Sequence, residues 1–418
     1  MERHKAGEDE THALGRDGIM KDEKKAGRSL INRRDFNRTA AAGATILGTA
    51  PLTRAFAKGP SYGVSLAGVK NGSGEEEIAK AVREAATAAT DFSWLSRGDR
   101  VMIKPVLNSG NPYPATTSPA GLAAMIKLLK DKGAGEVLVT DMSGIEHVKL
   151  SPDKLKGSSR ELMHQSGMAK AAISAGATLY FPEEEGWDAF FEDAVSPGKS
   201  WTGGVMMPKK IRDMDHVGLM PRCSRHLLAG VTLGMKAAVG WWRTDTRLEY
   251  HKDAATFHKK TAEANWCDSL VEKQRLALTV ADKIQTTFGP DQGHSMEPEV
   301  GLVFASESIT AHDMVSLSWF MAAREMTPEK EKSGIAKDPY QNASLVKAGN
   351  RGVVMMLGGA RDAVKAETLE RYDIDSVADD KVLARAYEIE GGMPEVELME
   401  SNEKAAELSE TLKGRLPA

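Results

Sequence analysis

Apolar and polar residues in the first half of the chain follow strand and helix patterns in turn. Residues 100–107 (RVMIKPVL) and 136–141 (EVLVTD) are short apolar runs typical of buried strands. Between them, residues 119–132 repeat apolar side chains at helical spacing, and Gly133 follows. Strand, helix and strand at this spacing predict a βαβ unit with parallel strands and a right-handed crossover.

The alternation continues to residue 399 and predicts an α/β fold. We expect a mixed or mostly parallel sheet with helices on both faces and Rossmann-like βαβ units. One such domain is expected over residues 58–402, with a surface excursion at 182–204 and a solvated C-terminal tail at 403–418. The other predicted strands are 177–181, 216–220, 300–305 and 395–399, and the other predicted helices are 159–175, 227–239, 265–288, 310–324 and 382–389.

Charge is unevenly distributed along the 418 residues, whose formal net charge is −4. Residues 1–57 hold 11 basic and 8 acidic residues, so the remainder carries −7. A domain of that sign lacks the sustained basic surface that nucleic acids require. No apolar run approaches the ~20 residues that span a bilayer. We therefore expect no nucleic-acid partner and no stable membrane span.

Residues 1–57 have the layout of an export signal. Residues 1–31 are polar without periodicity, which predicts disorder. An arginine pair in 32–38 (NRRDFNR) precedes a mild apolar run at 39–52, and 55–57 (AFA) places small residues where a signal peptidase reads. We expect the twin-arginine translocase as a partner and a periplasmic or other extracytoplasmic location. The alternative is a chance arginine pair before a short buried helix.

Two cysteines, Cys223 and Cys267, are the full complement. They show no C-x-x-C spacing, so an iron–sulfur cluster held by four thiolates is excluded within this chain. A single disulfide between them stays open. The twin-arginine route carries folded proteins, often with a bound cofactor, but the sequence does not identify one.

Cationic side chains concentrate between residues 222 and 251, beside the pair Trp241-Trp242. Within this stretch Arg225 and His226 follow a predicted strand, which favours contact with a small anionic molecule. The tryptophans are more often core or interface anchors than stacking platforms.

Two predicted strand ends bring further polar groups to the same edge of the sheet. Lys104 lies at the end of one strand and Asp141 at the end of the next, and ligands bind beyond the carboxyl ends of parallel strands. Thr117 and Ser118 start a helix, with Ser118 as N-cap, and free backbone N–H groups there suit an anion. The structural alternatives are that Lys104 is an ordinary surface lysine, that Asp141 caps a turn, and that Thr117 and Ser118 only start the helix.

Lys236 is the leading catalytic candidate, with Asp141 and His251 as further acid–base groups. It lies in an apolar, glycine-punctuated segment. Apolar surroundings lower the pKa of a lysine, which suits a general base or an imine-forming amine, whereas a nearby carboxylate keeps it cationic. The sequence leaves both outcomes open.

A divalent metal is a weaker expectation. His226, His251 and Asp313 are its tentative ligands, although the histidines are scattered and share no helical i, i+4 pair. A carboxylate near a helix N-terminus, the expected place of Asp313, is also favoured by the helix dipole alone. No G-x-S-x-G, H-E-x-x-H or P-loop motif occurs.

A series of short motifs occurs in this order along the chain: Ile103-Lys104-Pro105, Ala115-Thr116-Thr117-Ser118-Pro119, Gly133-Ala134, Asp141, Arg225-His226, Gly230-x-Thr232-x-x-x-Lys236-x-x-x-Gly240, His251, Asp282, Gly289-Pro290, Gly293, Ala305-Ser306 and Ala311-His312-Asp313. In their order and spacing these residues resemble the family known as domain of unknown function 362, from about Val101 to Met399.

The chain departs from the pattern of this family at several places. It has Val106 after Lys104-Pro105 where the family usually has asparagine, Ser118 for histidine, and Ala237 for asparagine after Lys236. Arg225 takes the place of a lysine. Members often carry ferredoxin-like iron–sulfur modules, which this chain lacks, and the family has no settled activity, so the resemblance implies a fold and a site.

Two hypotheses follow for the function. The first is an exported enzyme acting on a small anionic substrate, with or without a divalent metal. Lys104, Arg225, His226, Thr117 and Ser118 are expected to hold the anion. The second is a non-catalytic carrier or binding protein of the cell envelope. The sequence leaves open which is correct.

Overall fold

A computed structural model of the chain describes residues 56–417. The predicted export signal lies outside the described residues, apart from its last two positions. All described residues belong to one compact unit.

The main sheet has eight strands, which we number in chain order. From edge to edge the order is β8-β1-β7-β6-β5-β2-β3-β4. Strand β7 is antiparallel to both of its neighbours, and every other pairing is parallel. The strands are β1 (Lys58–Lys70), β2 (Arg100–Pro105), β3 (Glu136–Thr140), β4 (Thr178–Tyr180), β5 (His216–Met220), β6 (Gln274–Ala281), β7 (Val300–Ser306) and β8 (Met393–Glu400).

Helices cover both faces of this sheet. They are α1 (Glu75–Ala89), α2 (Pro119–Asp131), α3 (Ser159–Gln165), α4 (Met168–Ser174), α5 (Gly234–Ala237), α6 (Thr244–Lys252), α7 (Phe257–Glu263), α8 (Asp268–Lys273), α9 (Ile309–Met326), α10 (Glu329–Lys332), α11 (Ala343–Gly358), α12 (Ala360–Lys365), α13 (Lys381–Ile389) and α14 (Ala406–Lys413).

Successive strand residues point to opposite faces, and both faces are buried. Ile103 of β2 packs into the core that holds α1, α2 and α4, whereas its neighbour Met102 packs into the core of the opposite face. The α/β fold class and the mostly parallel mixed sheet are therefore as predicted. The first βαβ unit consists of β2, α2 and β3, with β2 and β3 parallel.

Two helix predictions are wrong. Residues 227–239 contain the end of a tight hairpin, Ser224–His226 paired with Gly230–Thr232, and only then the four-residue helix α5. Gly230 at the turn has φ +80°, which a helix does not accommodate. Residues 265–288 contain the short helix α8 followed by the central strand β6. A strand buried on both faces is continuously apolar and cannot be told from a buried helix by its pattern.

Other boundaries differ more locally. The predicted helix 159–175 is two helices, α3 and α4, separated at Gly167, whose φ is +85°. Strand β1 and helices α1 and α11 were not predicted. In β1 small residues interrupt the apolar pattern. At Gly68 a small residue is needed, because a side chain there would overlap the backbone of Lys404.

The C-terminal residues are not a solvated tail. Helix α14 buries Leu412 completely, and Leu416 packs against the same core. The excursion at 182–204 is also partly ordered: Phe190–Asp193 pairs with Val205–Pro208, and Trp201 is buried. Cys223 and Cys267 are both buried and unbridged. Among the described residues, no helix is long and apolar enough to span a bilayer.

Candidate functional site

A pocket of about 340 Å³ opens at the carboxyl ends of β2, β3 and β5, and we call it the rim pocket. This is where parallel sheets bind ligands. Apolar residues of the Leu227–Leu228 turn and of helix α11 complete its walls. Its polar lining residues are Lys104, Asn108, Asp141, Glu146, His147, Arg222, His226, Thr232, Lys236, Arg247, His251 and Asp291.

Lys104 and Asp141 form a buried ion pair at one wall of the rim pocket. Lys104 Nζ lies 3.0 Å from Asp141 Oδ1, and Asp141 Oδ2 accepts a hydrogen bond from the Leu107 backbone at 2.6 Å. Burial lowers the pKa of Lys104 and raises the pKa of Asp141, and their mutual attraction opposes both shifts. A side chain at Gly240 would overlap both charged groups, which would have to move to make room for it.

Arg222 and Arg247 add two buried guanidinium groups. Arg247 donates to the backbone carbonyls of Trp242 at 2.9 Å, Ser143 at 2.5 Å and Met142 at 2.6 Å. Among the described residues, Nη1 of Arg222 contacts three backbone carbonyls, while its buried Nε and Nη2 have no hydrogen-bond partner. Burial lowers the pKa of each guanidinium to about 10, so both are cationic at neutral pH.

Lys236 reaches the same pocket from helix α5. Its Nζ lies 5.7 Å from the centre of the Tyr250 ring, and no carboxylate within the described chain forms an ion pair with it. Burial, together with the nearby charges of Arg247, Arg222 and Lys104, lowers its pKa to about 7. Of the two outcomes left open by the sequence, the structure therefore favours the amine with a lowered pKa.

His226 and His251 line the pocket as opposite tautomers. His226 Nδ1 accepts hydrogen bonds from the backbones of Leu228 and Ala229 at 3.0 and 3.2 Å, so Nε2 carries the proton. His251 Nδ1 donates to the Arg247 carbonyl at 2.7 Å, which leaves Nε2 as an acceptor. Burial, followed by the charge of Lys236, lowers the pKa of both, that of His251 to about 3.

Three predicted anion-binding residues do not line the rim pocket. Arg225 pairs with buried Asp338, with Nε and Nη2 each 3.3 Å from a carboxylate oxygen, and stacks on Tyr340. The Thr117 hydroxyl accepts from the Val106 backbone at 2.8 Å and donates to the Met220 carbonyl at 2.7 Å. Ser118 caps helix α2. These side chains hold the rim together and are already engaged.

The predicted metal set of His226, His251 and Asp313 is not assembled. Asp313 lies outside the rim pocket, and its carboxylate accepts from the backbones of Gly234 at 2.8 Å and Met235 at 2.7 Å, at the start of α5. His226 offers no free lone pair, because Nδ1 already accepts two hydrogen bonds. Of the three, only His251 presents an unprotonated nitrogen to the pocket.

Another group could hold a divalent cation. Glu146, His147 and Asp291 bring one ligand atom each to within 4.8 Å of one another at the exposed mouth of the pocket. Two carboxylates and an imidazole suit several divalent metals. No sequence motif indicates this group, since Asp291 is far from Glu146 and His147 along the chain.

A family model described as a domain of unknown function, DUF362, matches residues 101–318. The chain belongs to this family. The DUF362 region supplies the polar side chains of the rim pocket, from Lys104 to Asp291. Helix α11, which contributes part of the apolar wall, lies beyond the matched region.

Comparisons with solved structures give only distant likenesses. A protein from Thermotoga maritima aligns at 12% identity and a TM-score of 0.37 over 62% of this chain and 59% of its own length. The lactate racemase apoprotein from Thermoanaerobacterium thermosaccharolyticum aligns at 11% identity and a TM-score of 0.39 over 84% of this chain and 86% of its own. Likenesses at this level say nothing about the chemistry of the DUF362 pocket. No curated protein matches the chain.

Proposed function

We propose that this DUF362 protein is an enzyme acting on a small organic anion, with the Lys236 amine as its reactive group. One observation carries the proposal: Lys236 and Arg222 line the same cavity, and within residues 56–417 neither forms an ion pair with a carboxylate, although Asp291 attracts Arg222 from the pocket mouth. The buried cations of this cavity, Lys104, Arg222 and Arg247, outnumber its buried carboxylate, Asp141. Such a cavity is suited to an anionic ligand, because an anion lowers the cost of burying the cations.

The surrounding side chains have distinct roles in this proposal. Arg222 binds the anionic group, His226 Nε2 donates a hydrogen bond and His251 Nε2 accepts one. Lys236, with a pKa of about 7, is partly unprotonated at neutral pH and acts as a general base or as an amine that forms an imine. Asp141 and Lys104 position the pocket wall through their ion pair.

Metal assistance is a separate proposal and concerns the mouth of the pocket. Lys104, Arg222, Lys236 and Arg247 are cationic or partly cationic and oppose a second cation beside His251. A divalent cation would instead occupy Glu146, His147 and Asp291. Elemental analysis of the purified protein, with Asp291→Asn as the comparison, tests this proposal: equal metal content in both proteins contradicts it.

We also propose export by the twin-arginine translocase and an extracytoplasmic location, supported by the NRRDFNR motif of residues 32–38. Replacing both adjacent arginines by lysine should retain the protein in the cytoplasm. Unchanged distribution between cell fractions would contradict export by this route.

The test of Lys236 measures the reactivity of its amine. Full-length protein is labelled with isotopic acetic anhydride from pH 5 to 10, and peptide mass spectrometry follows Lys236 relative to exposed Lys170. We expect the labelling of Lys236 to rise with a midpoint near pH 7. Acetate should protect Lys236 and leave Lys170 unaffected. Protection by acetate without a midpoint near 7 would favour a non-catalytic anion carrier instead.

A further inference from the structure

We propose that the ligand of the rim pocket is an amphipathic carboxylate: its carboxylate meets the Nε–Nη2 edge of Arg222, and its apolar body lies against helix α11. This inference rests on the proposed function and names its substrate class. Three independent features of the pocket support it: the unused edge of Arg222, the apolar wall, and a glycine on the pocket face of α11.

The unused edge of Arg222 has the geometry that recognises a carboxylate. Nε and Nη2 of one guanidinium lie parallel and donate together to two oxygens of a single acid. The chain uses this arrangement elsewhere, where Arg160 Nε and Nη2 contact the two carboxylate oxygens of Glu184 at 2.9 and 2.8 Å. In Arg222 the same two atoms are buried without a partner, and the side chain is 1% exposed.

The orientation of Arg222 is fixed by its other nitrogen. Nη1 contacts the carbonyls of Pro114, Ala115 and Pro290, with 2.8 Å to Pro290. A guanidinium held on one side by three backbone carbonyls loses little freedom when a ligand binds on the other. Arg222 is therefore better preorganised for a carboxylate than a flexible surface arginine.

The apolar wall of the pocket indicates that the ligand also has an apolar part. Helix α11 presents Val353 and Met356 to the pocket, and Leu227, Leu228 and Val239 lie along it. A small inorganic anion would leave this wall without contact. A carboxylate with a short hydrocarbon chain satisfies the cationic groups and covers the wall in one molecule.

Gly352 sets the space along that wall. It lies one helical turn from Gly349 and from Met356, so the three share a face of α11. Gly352 is an exposed residue of the pocket lining, and a side chain added there would meet nothing within 4 Å, whereas one at Gly349 would contact Leu227. The space beside position 352 is therefore open, and a larger side chain there would occupy part of it.

Binding of acetate, hexanoate and 1-hexanol to the full chain, measured by calorimetry, tests the inference. We expect hexanoate to bind roughly tenfold or more tightly than acetate, and 1-hexanol to bind far more weakly than hexanoate. In Gly352→Leu, hexanoate should lose roughly tenfold in affinity, while acetate should change less than about twofold. Arg351→Leu adds the same side chain at an exposed neighbouring position outside the pocket lining and should change neither.

Arg222→Met should abolish binding of both acids. Because Arg222 also holds three carbonyls, Lys236→Met serves as a second variant that removes a charge without removing these bonds, and it should weaken both acids. Equal affinity for acetate and hexanoate in the unaltered protein would overturn the inference and leave the proposed function intact. Absence of binding by either acid, with no protection of Lys236, would overturn both.

Discussion

Lys236 shows how a single residue can trade stability for reactivity. Its pKa of about 7 in the folded protein, against 10.5 for an ordinary lysine, means that folding is penalised while the amine is charged. The penalty is complete at and below pH 7, shrinks as the pH rises from 7 to 10.5, and vanishes above that range. A neutral side chain of similar size avoids it.

We therefore expect Lys236→Met to be more stable than the unaltered protein at pH 6, by about 2–4 kcal/mol. The difference should fall as the pH approaches 10. Urea unfolding at a series of pH values measures it. Lys260→Met is the matched control, because Lys260 is buried but lies 3.4 Å from both Glu249 and Asp253, and we expect its loss to destabilise the protein. A lower stability of Lys236→Met at pH 6 would contradict the assigned environment.

The same residue predicts the pH dependence of binding. An anion favours the protonated amine, so binding should raise the pKa of Lys236 and take up a proton. Acetate affinity should be highest just below pH 7, where acetate is ionised and Lys236 is protonated, and fall by about tenfold per pH unit above it. Calorimetry in buffers of different ionisation enthalpy measures the proton uptake. In Lys236→Met the acetate affinity should be weaker and should change little with pH. If the affinity of that variant still fell steeply with pH, another group would be responsible for the titration.

Gly240 gives a prediction of a different kind. A methyl group at this position would overlap Asp141 and Lys104, so Gly240→Ala should break or displace a buried ion pair. We expect a loss of about 3 kcal/mol or more in the free energy of unfolding. Gly352→Ala is the control: a methyl group there meets nothing, and alanine in a helix interior is favoured over glycine by up to about 1 kcal/mol.

At the scale of elements, the pocket depends on a helix too short to be stable alone. Helix α5 has four residues, and the Asp313 carboxylate accepts from the first two of their backbone N–H groups. Helix α9, which carries Asp313, thus fixes the segment that presents Lys236. Asp313, which the sequence suggested as a metal ligand, instead anchors the helix that carries Lys236.

Asp313→Ala should cost about 2–3 kcal/mol in stability, since two hydrogen bonds to a charged group are lost. It should also weaken acetate binding, because the helix bearing Lys236 is released. Asp380→Ala removes a similar cap, on Val382 and Leu383, outside the rim pocket. That control should lose stability and keep its acetate affinity. If Asp313→Ala kept its acetate affinity while losing stability, the anchoring role would be wrong.

Elements with a clear period were predictable from the sequence, and those set by tertiary contacts were not. Helix α2 has an apolar stripe, an N-cap serine and a following glycine, so its limits follow from local signals. The hairpin before α5 and the central strand β6 carry no such signals, because their short apolar runs fit a buried strand and a buried helix equally well. The candidate site at the strand ends was predictable because Lys104 and Asp141 each lie at the end of a strand that the sequence pattern indicates. The unused edge of Arg222 was not, since it depends on which carbonyls fold onto Nη1.

At the scale of the whole molecule, the sheet is closed at one edge by the C-terminal strand. Strand β8 pairs in parallel with β1 and covers it along most of its length. We expect removal of residues 391–418 to expose this strand and give an aggregated product, as judged by size-exclusion chromatography. Removal of the last two residues alone should leave a soluble protein with normal acetate affinity. Solubility of the larger deletion would contradict a structural role for β8.

The pairing of β1 also determines when the protein can finish folding. Ser65 of β1 pairs with Ala305 of β7, and Leu66 pairs with Glu400 of β8, so both neighbours of the first strand are synthesised hundreds of residues later. Contacts of such sequence separation form slowly and late. Strand β1 therefore lacks both native neighbours until β7 and β8 have been synthesised, and its edges are open to non-native pairing during that interval. An unpaired β1 of this kind favours aggregation before folding is complete.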